Sequence, residues 1–216
     1  MFQGDNEKPI EGHMVHIPVK PDSIPIFRKA YDVPFHLREA VKKEIIKLQS
    51  QGVLVPVEFS EWATPLVVVR KNNDIRLCLD LKQTLNKVTE KVIYPLPKIE
   101  DIMNTIRGAK CFTILDLRQA YLQLKVHPQS QQFLGVSTPW GIFRQTRLAF
   151  GLSCAAQVFQ RFIDEVIAGL EGVICYLDDV LIYAEDKSSC YDRVTQVLDR
   201  FERINIKVRL EKCKFF

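Results

Sequence analysis

The stretch Gly172-Val173-Ile174-Cys175-Tyr176-Leu177-Asp178-Asp179-Val180-Leu181-Ile182-Tyr183 sets two adjacent carboxylates between apolar runs of β-branched, aliphatic and aromatic residues. Two such runs split by a short polar step predict a tight β-hairpin, and aspartate tolerates the backbone that such a turn requires. Taken alone, Asp178 and Asp179 are explained as well by solvated turn residues as by chemistry. Asp116 shifts the balance. It closes another apolar run, "FTILD", where a lone acid would be a strand-end cap or a paired surface charge. If the two elements neighbour one another in a sheet, three carboxylates meet at one edge and raise one another's pKa. Divalent cations relieve that conflict, and Mg²⁺ favours carboxylate, water and phosphate oxygens. Two ions roughly 4 Å apart can serve both the attacking and the leaving oxygen of a phosphoryl transfer.

Outward from this hairpin the sequence alternates irregularly between strand and helix signals. Upstream, "LSCAAQVFQRFIDEVIAGLEG" predicts an amphipathic helix with Phe159, Phe162, Ile163, Val166, Ile167 and Leu170 on one face, Ser153 as N-cap and Gly172 as stop. Downstream, "SSCYDRVTQVLDRFERIN" predicts a helix with Tyr191, Val194, Leu198 and Phe201 on one face. "CFTILDLRQAYLQLKV" reads as a strand entering a short turn or helix, and "QQFLGVSTPWGIFRQTRLAF" as a hairpin turning at Thr138-Pro139-Trp140-Gly141. Further back, "HLREAVKKEIIKLQSQG" carries Leu37, Val41, Ile45 and Leu48 at helical spacing and stops at Gly52. "TPLVVVRKNNDIRLCLDL" gives a hairpin around Asn72-Asn73-Asp74, and "YPLPKIEDIMNTIRGAK" a helix with Ile99, Ile102, Met103 and Ile106 inward and Gly108 as stop. Residues 1–35 are proline-rich and aperiodic, an extended arm lying on other structure. Tight turns between neighbouring strands favour an α+β layout, an antiparallel sheet with helices on one face.

Composition bounds the function. The 216 residues, 47% hydrophobic and 26% charged, match a globular protein of one large domain or two intimate ones. No apolar run approaches a membrane span, and "MFQGDNEKPIEG" has no signal-peptide pattern, so cytoplasm, an intracellular particle or nucleus is the expected location rather than the exterior. The net charge of +4 permits a polyanionic partner without arguing for one. Six scattered cysteines form no C-x-x-C pair and read as reduced, space-filling thiols, and His13 and His16 lack further ligands at zinc spacing.

Seven segments stand in an order that carries more than any one of them. They are "WATPLVVVRK", "RLCLDL", "LNKV", "YPLPKIEDI", "LDLRQAY", "RLAFGLSCAAQVFQ" and "YLDD". Over residues 17–216 the chain resembles the catalytic core of a reverse transcriptase, an RNA-directed DNA polymerase, most closely that of gypsy-type LTR retrotransposon polyproteins. The resemblance implies right-hand polymerase fingers at 17–93 and 126–149 and a palm at 94–125 and 150–216, after an N-terminal extension at 1–16. It implies a nucleotidyltransferase that joins a dNTP to the 3′-hydroxyl of a primer on an RNA or DNA template. Asp116 and Asp178 would be the main ligands of two Mg²⁺ ions, or of Mn²⁺ in their place, with Asp179 assisting. Tyr121 would lie beneath the sugar and reject a 2′-hydroxyl, and the amides of Gln119 and Ala120 would face the triphosphate. Lys71 and Arg76 would grip the β- and γ-phosphates. Phe150 and Gly151 would pack against the nascent base pair, and Tyr176 and Leu177 would lie near primer terminus and template.

Phe150 stands where retroviral members carry Gln and retrotransposon members Phe, which agrees with the gypsy-type assignment. Ala149 replaces a usual Pro, and "DLKQTLN" (Asp80–Asn86) is one residue longer than the commonest form. In the family a primer-grip hairpin and thumb, and commonly an RNase H domain, follow the segment ending "KCKFF", with protease and integrase among the segments that can flank such a core. Without them, this piece is expected to extend primers poorly. An alternative is an inactive or domesticated retrotransposon remnant that binds nucleic acid or protein. A carboxylate-pair glycosidase would need two acids spaced around a sugar, which adjacent aspartates do not readily offer.

Overall fold

The structure, a computed structural model, describes residues 8–71 and 74–216, so the expected Asn72-Asn73 turn lies outside the described residues. Its elements in chain order are β1 (Met14–Val15), α1 (Arg38–Ser50), β2 (Leu54–Val57), β3 (Thr64–Lys71), β4 (Asp74–Leu79) and α2 (Ile99–Thr105). Then follow β5 (Cys111–Asp116), α3 (Ala120–Gln123), β6 (Lys125–Val126), α4 (Pro128–Gln131), β7 (Gly135–Thr138) and β8 (Gly141–Gln145). The last are α5 (Ala155–Ile167), β9 (Val173–Tyr176), β10 (Asp179–Ala184) and α6 (Lys187–Arg203).

A three-stranded antiparallel sheet, β5-β10-β9, holds the opening motif. Side chains alternate across a strand, so parity decides which face each residue takes. Cys111, Thr113 and Leu115 of β5 and Val180, Ile182 and Ala184 of β10 are buried on the face that α5 and α6 cover. Asp116 and Asp179, paired in register, share the opposite face. The inner face opens onto the larger core, anchored by Phe159, Ile163, Ile182 and Phe201.

The second sheet has the order β2-β8-β7-β3-β4. Its two predicted hairpins, β3–β4 and β7–β8, form in sequence register. A parallel pairing of β3 with β7, Thr64 opposite Val136, joins them. Val41 and Ile45 of α1 pack with Leu54, Leu66, Val136 and Phe143 into a smaller core of their own. Gly135 makes that junction possible: a Cβ there would lie 1.8 Å from the Trp62 carbonyl oxygen, so any side chain must displace backbone. The N-terminal arm runs extended over both units. β1 pairs in parallel with β6, and Arg28 N donates to Ala63 O and Lys20 N to Val88 O.

Local expectations needed correction at four points. Helix α2 forms, yet Ile99 and Met103 are 58% and 60% exposed, because only its Ile102–Ile106 side leans on the protein. The inward stripe of α6 is Cys190, Val194, Val197 and Phe201, while Tyr191 points to solvent. Asp186 caps α6 by accepting from Ser189 N. The N-cap of α5 is Cys154, which makes no side-chain cap, and not Ser153, whose backbone N–H donates to Asn86 Oδ1; the helix ends at Ile167, before Gly169 at φ 75° and well before Gly172.

Candidate active site

The β5–β10 register brings Asp179 opposite Asp116, and Leu117 N donates to Asp178 O at 2.9 Å, so the turn is tied to the end of β5. Leu177 takes φ 56°, the left-handed conformation, and thereby reverses the chain between β9 and β10. Asp116 and Asp178 line one wall of a cavity of about 660 Å³. Gln119, Phe150 and Arg76 line it with them, as do Glu44 and Lys47 of α1.

Both carboxylates of the doublet hold their protons more tightly than usual. For Asp178 the main cause is the surrounding protein, which thins the solvent, followed by the charges of Asp179 and Asp116, with Arg76 and Lys212 opposing. For Asp179 it is again desolvation, then Asp116, with Lys212 and Lys214 opposing. Lys212 Nζ lies 3.6 Å from Asp116 Oδ2, so an ammonium group already stands against the carboxylate cluster. Crowded anions partly offset by a nearby cation are what an oxygen-only metal site looks like electrically. The described residues include no group of three or more His, Cys, Asp or Glu side chains close enough to hold an ion unaided. A Mg²⁺ site built on one or two carboxylates and completed by substrate phosphates does not need one, so these donors fit such ions.

Of the other expected residues, Arg76, Gln119 and Phe150 line the cavity, whereas Ala120, Tyr121, Gly151, Tyr176, Leu177 and Asp179 are not among its lining residues. Gln119, at φ 48°, makes the left-handed step into α3, and Ala120 is buried behind it. The Tyr121 ring lies 5.1 Å from Phe150 and 5.5 Å from Phe159, and burial, then the charge of Asp178, push its hydroxyl pKa up. Arg76 lies 3.9 Å over the Phe150 ring, a cation–π contact that fixes both at the cavity mouth. Gly151, at φ 87°, turns the chain after Phe150. Lys71 ends β3 opposite Asp74, and Tyr176 ends β9 opposite Asp179.

Several residues here were not foreseen. Asn86 donates to Gly151 O at 2.8 Å and accepts from Ser153 N at 2.8 Å, clamping the loop between Phe150 and α5. Lys212 and Arg209 reach the cavity because residues 207–214 fold back along β5, with Arg209 N donating to Asp116 O. The Asn86 clamp had a signal in "LNKV"; the return of 207–214 had none, since it depends on a pairing outside any local pattern.

Residues 69–216 match the family described as "Reverse transcriptase (RNA-dependent DNA polymerase)". The chain is 36% identical over 197 residues to the uncharacterized protein K02A2.6 of Caenorhabditis elegans, covering 90% of this chain and 16% of that protein. It is 31% identical over 222 residues to the retrovirus-related Pol polyprotein from transposon opus of Drosophila melanogaster, covering 97% and 22%. The chain thus spans under a quarter of the length of these relatives. Among solved structures, it superposes on the foamy viral protease-reverse transcriptase in complex with double-stranded DNA with a TM-score of 0.89 at 19% identity, over 100% of this chain and 38% of that one. That likeness agrees with the fold described above.

Proposed function

The chain belongs to the reverse transcriptase family, and on that premise we propose that it is the fingers-and-palm core of a gypsy-type RNA-directed DNA polymerase. The fingers comprise 17–93 and 126–149 and the palm 94–125 and 150–216. What carries the reading is the common cavity wall of Asp116 and Asp178, with Asp179 in register beside them.

Asp116 and Asp178 would hold Mg²⁺, with Asp179 assisting. When bound, such ions lower the pKa of a primer 3′-hydroxyl and neutralise charge on the attacked phosphate. The protein's own part is placement and charge. Arg76, seated on Phe150, and Lys71 bind the outer phosphates of a dNTP. The amides of Gln119 and Ala120 face the triphosphate. Tyr121, packed against Phe150 and Phe159, excludes a 2′-hydroxyl beneath the sugar. Phe150 and Gly151 form the platform for the nascent base pair, and Tyr176 and Leu177 meet the primer end and template. The remainder of a polyprotein, including a primer grip, a thumb and an RNase H domain, would supply most grip on the duplex, because backbone contacts dominate sequence-independent affinity.

The test is primer extension with Mg²⁺, on this chain and on a longer form carrying the thumb. Asp178→Asn is expected to lower incorporation roughly a thousandfold, the consequence of losing several kcal/mol of charge stabilisation. Equal incorporation by the Asn variant removes the metal role of Asp178.

A further inference from the structure

Gln160, on α5, is fully buried and belongs to none of the roles above. A buried amide is costly unless its donors and acceptor find partners, and a leucine or methionine would fill the space without that requirement. Here every partner is chosen. Nε2 donates to Asp164 Oδ1 and to Cys175 O, each at 2.9 Å, and Oε1 accepts from Leu177 N at 3.4 Å. A carboxylate and a carbonyl can only accept, and a backbone N–H can only donate, so the three partners fix which end of the amide points where. Two of them, Cys175 O and Leu177 N, bracket Tyr176 and so hold the chain as it enters the left-handed Leu177. Leucine gains nothing from that conformation, which persists only where the surroundings impose it. The support continues outward: Asp164 Oδ2 accepts from the Tyr94 hydroxyl at 2.8 Å, a bond that is the main reason the Tyr94 pKa is raised.

We propose that Gln160 is a positioning residue that locks the Leu177 turn and so delivers Asp178 to the cavity wall, with Asp164 and Tyr94 holding its amide in the required orientation. The catalytic meaning rests on the polymerase reading; the lock itself does not. It acts through backbone groups on both sides of Tyr176, so the geometry of the carboxylate is set from inside the core and not by the exposed turn.

Two measurements on the 216-residue chain test this: amide hydrogen exchange over 173–181 and over 111–116, and Mn²⁺ affinity by electron paramagnetic resonance. Gln160→Leu is expected to speed exchange across the turn roughly ten- to thirtyfold, the effect on local opening of losing the two bonds to Cys175 O and Leu177 N, while 111–116 keeps its wild-type protection. Its Mn²⁺ affinity is expected to fall about tenfold, on the same scale. Asp164→Asn retains an acceptor for Nε2 and behaves as wild type; Asp164→Ala moves the turn in the direction of Gln160→Leu. Asp178→Asn lowers Mn²⁺ affinity without speeding turn exchange. Wild-type turn exchange in Gln160→Leu, or equal acceleration in both segments, overturns the lock. Should circular dichroism show that variant unfolded, Asp164→Ala decides the question by the same two measurements from a less buried position. A wild-type chain that binds Mn²⁺ no better than Asp178→Asn would sink the polymerase reading, while the exchange data still decide the role of Gln160.

Discussion

At the scale of the residue, Asp178 shows a site working against the fold that carries it. Desolvation first, then Asp179 and Asp116, raise its pKa above the ordinary 3.8. An acid raised on folding binds its proton more firmly in the folded chain than in the unfolded one. Stability therefore falls as pH climbs from about 3.8 through the raised folded value, and the loss is complete above it. In metal-free buffer at pH 7, Asp178→Asn is expected to melt a few degrees above wild type. The carboxylate stays open to water, which holds the gain below ~1 kcal/mol. The difference should shrink as pH falls and vanish in melts recorded well below pH 3.8. A variant that is better folded and inactive separates a functional acid from a mere turn residue. The sequence showed the three acids but could not show Lys212 against Asp116, since 96 residues of chain separate the two (212 − 116).

At the scale of the element, period-two patterns read correctly wherever both strands of a hairpin lie next to one another in sequence: β3–β4, β7–β8 and β9–β10. The parallel contact of β3 with β7 stayed hidden because it joins segments some seventy residues apart through a glycine whose missing side chain, not its turn preference, is what matters. Helix faces were less secure. In α2 four apolar residues at helical spacing looked like an inward stripe, yet the helix is short and only half of the stripe finds a surface. In α6 the aromatic Tyr191 drew the eye, while the smaller Cys190 and Val197 took the inward places. Asp186 is the N-cap at the head of α6. It accepts from both the N–H and the hydroxyl of Ser189. Asp186→Ala is expected to lower the urea midpoint modestly, with no change in the register of β10.

At the scale of the molecule, two cores of unequal size divide the labour. The larger lies under the carboxylate sheet, and the smaller under α1 and the five-stranded sheet. Leu79 packs against both. Ile45→Ala empties a nearly solvent-free place in the smaller one and is expected to cost about 2–5 kcal/mol. Hydrogen exchange should then rise first over 54–57, 64–71 and 135–145, with 111–116 and 179–184 opening only on global unfolding. Synchronous opening of all five segments would mean a single cooperative unit.

The fold-back of residues 207–214 has a bearing on solubility as well as on the cavity. β5 is the rim of its sheet, and a rim strand bares amides and carbonyls that another chain can use. Here Val208 bridges to Leu117 and Lys214 to Ile114, so the rim is already taken. Ending the chain after Ile206 should therefore leave a strand seeking a mate, and light scattering is expected to report self-association that the 216-residue chain resists.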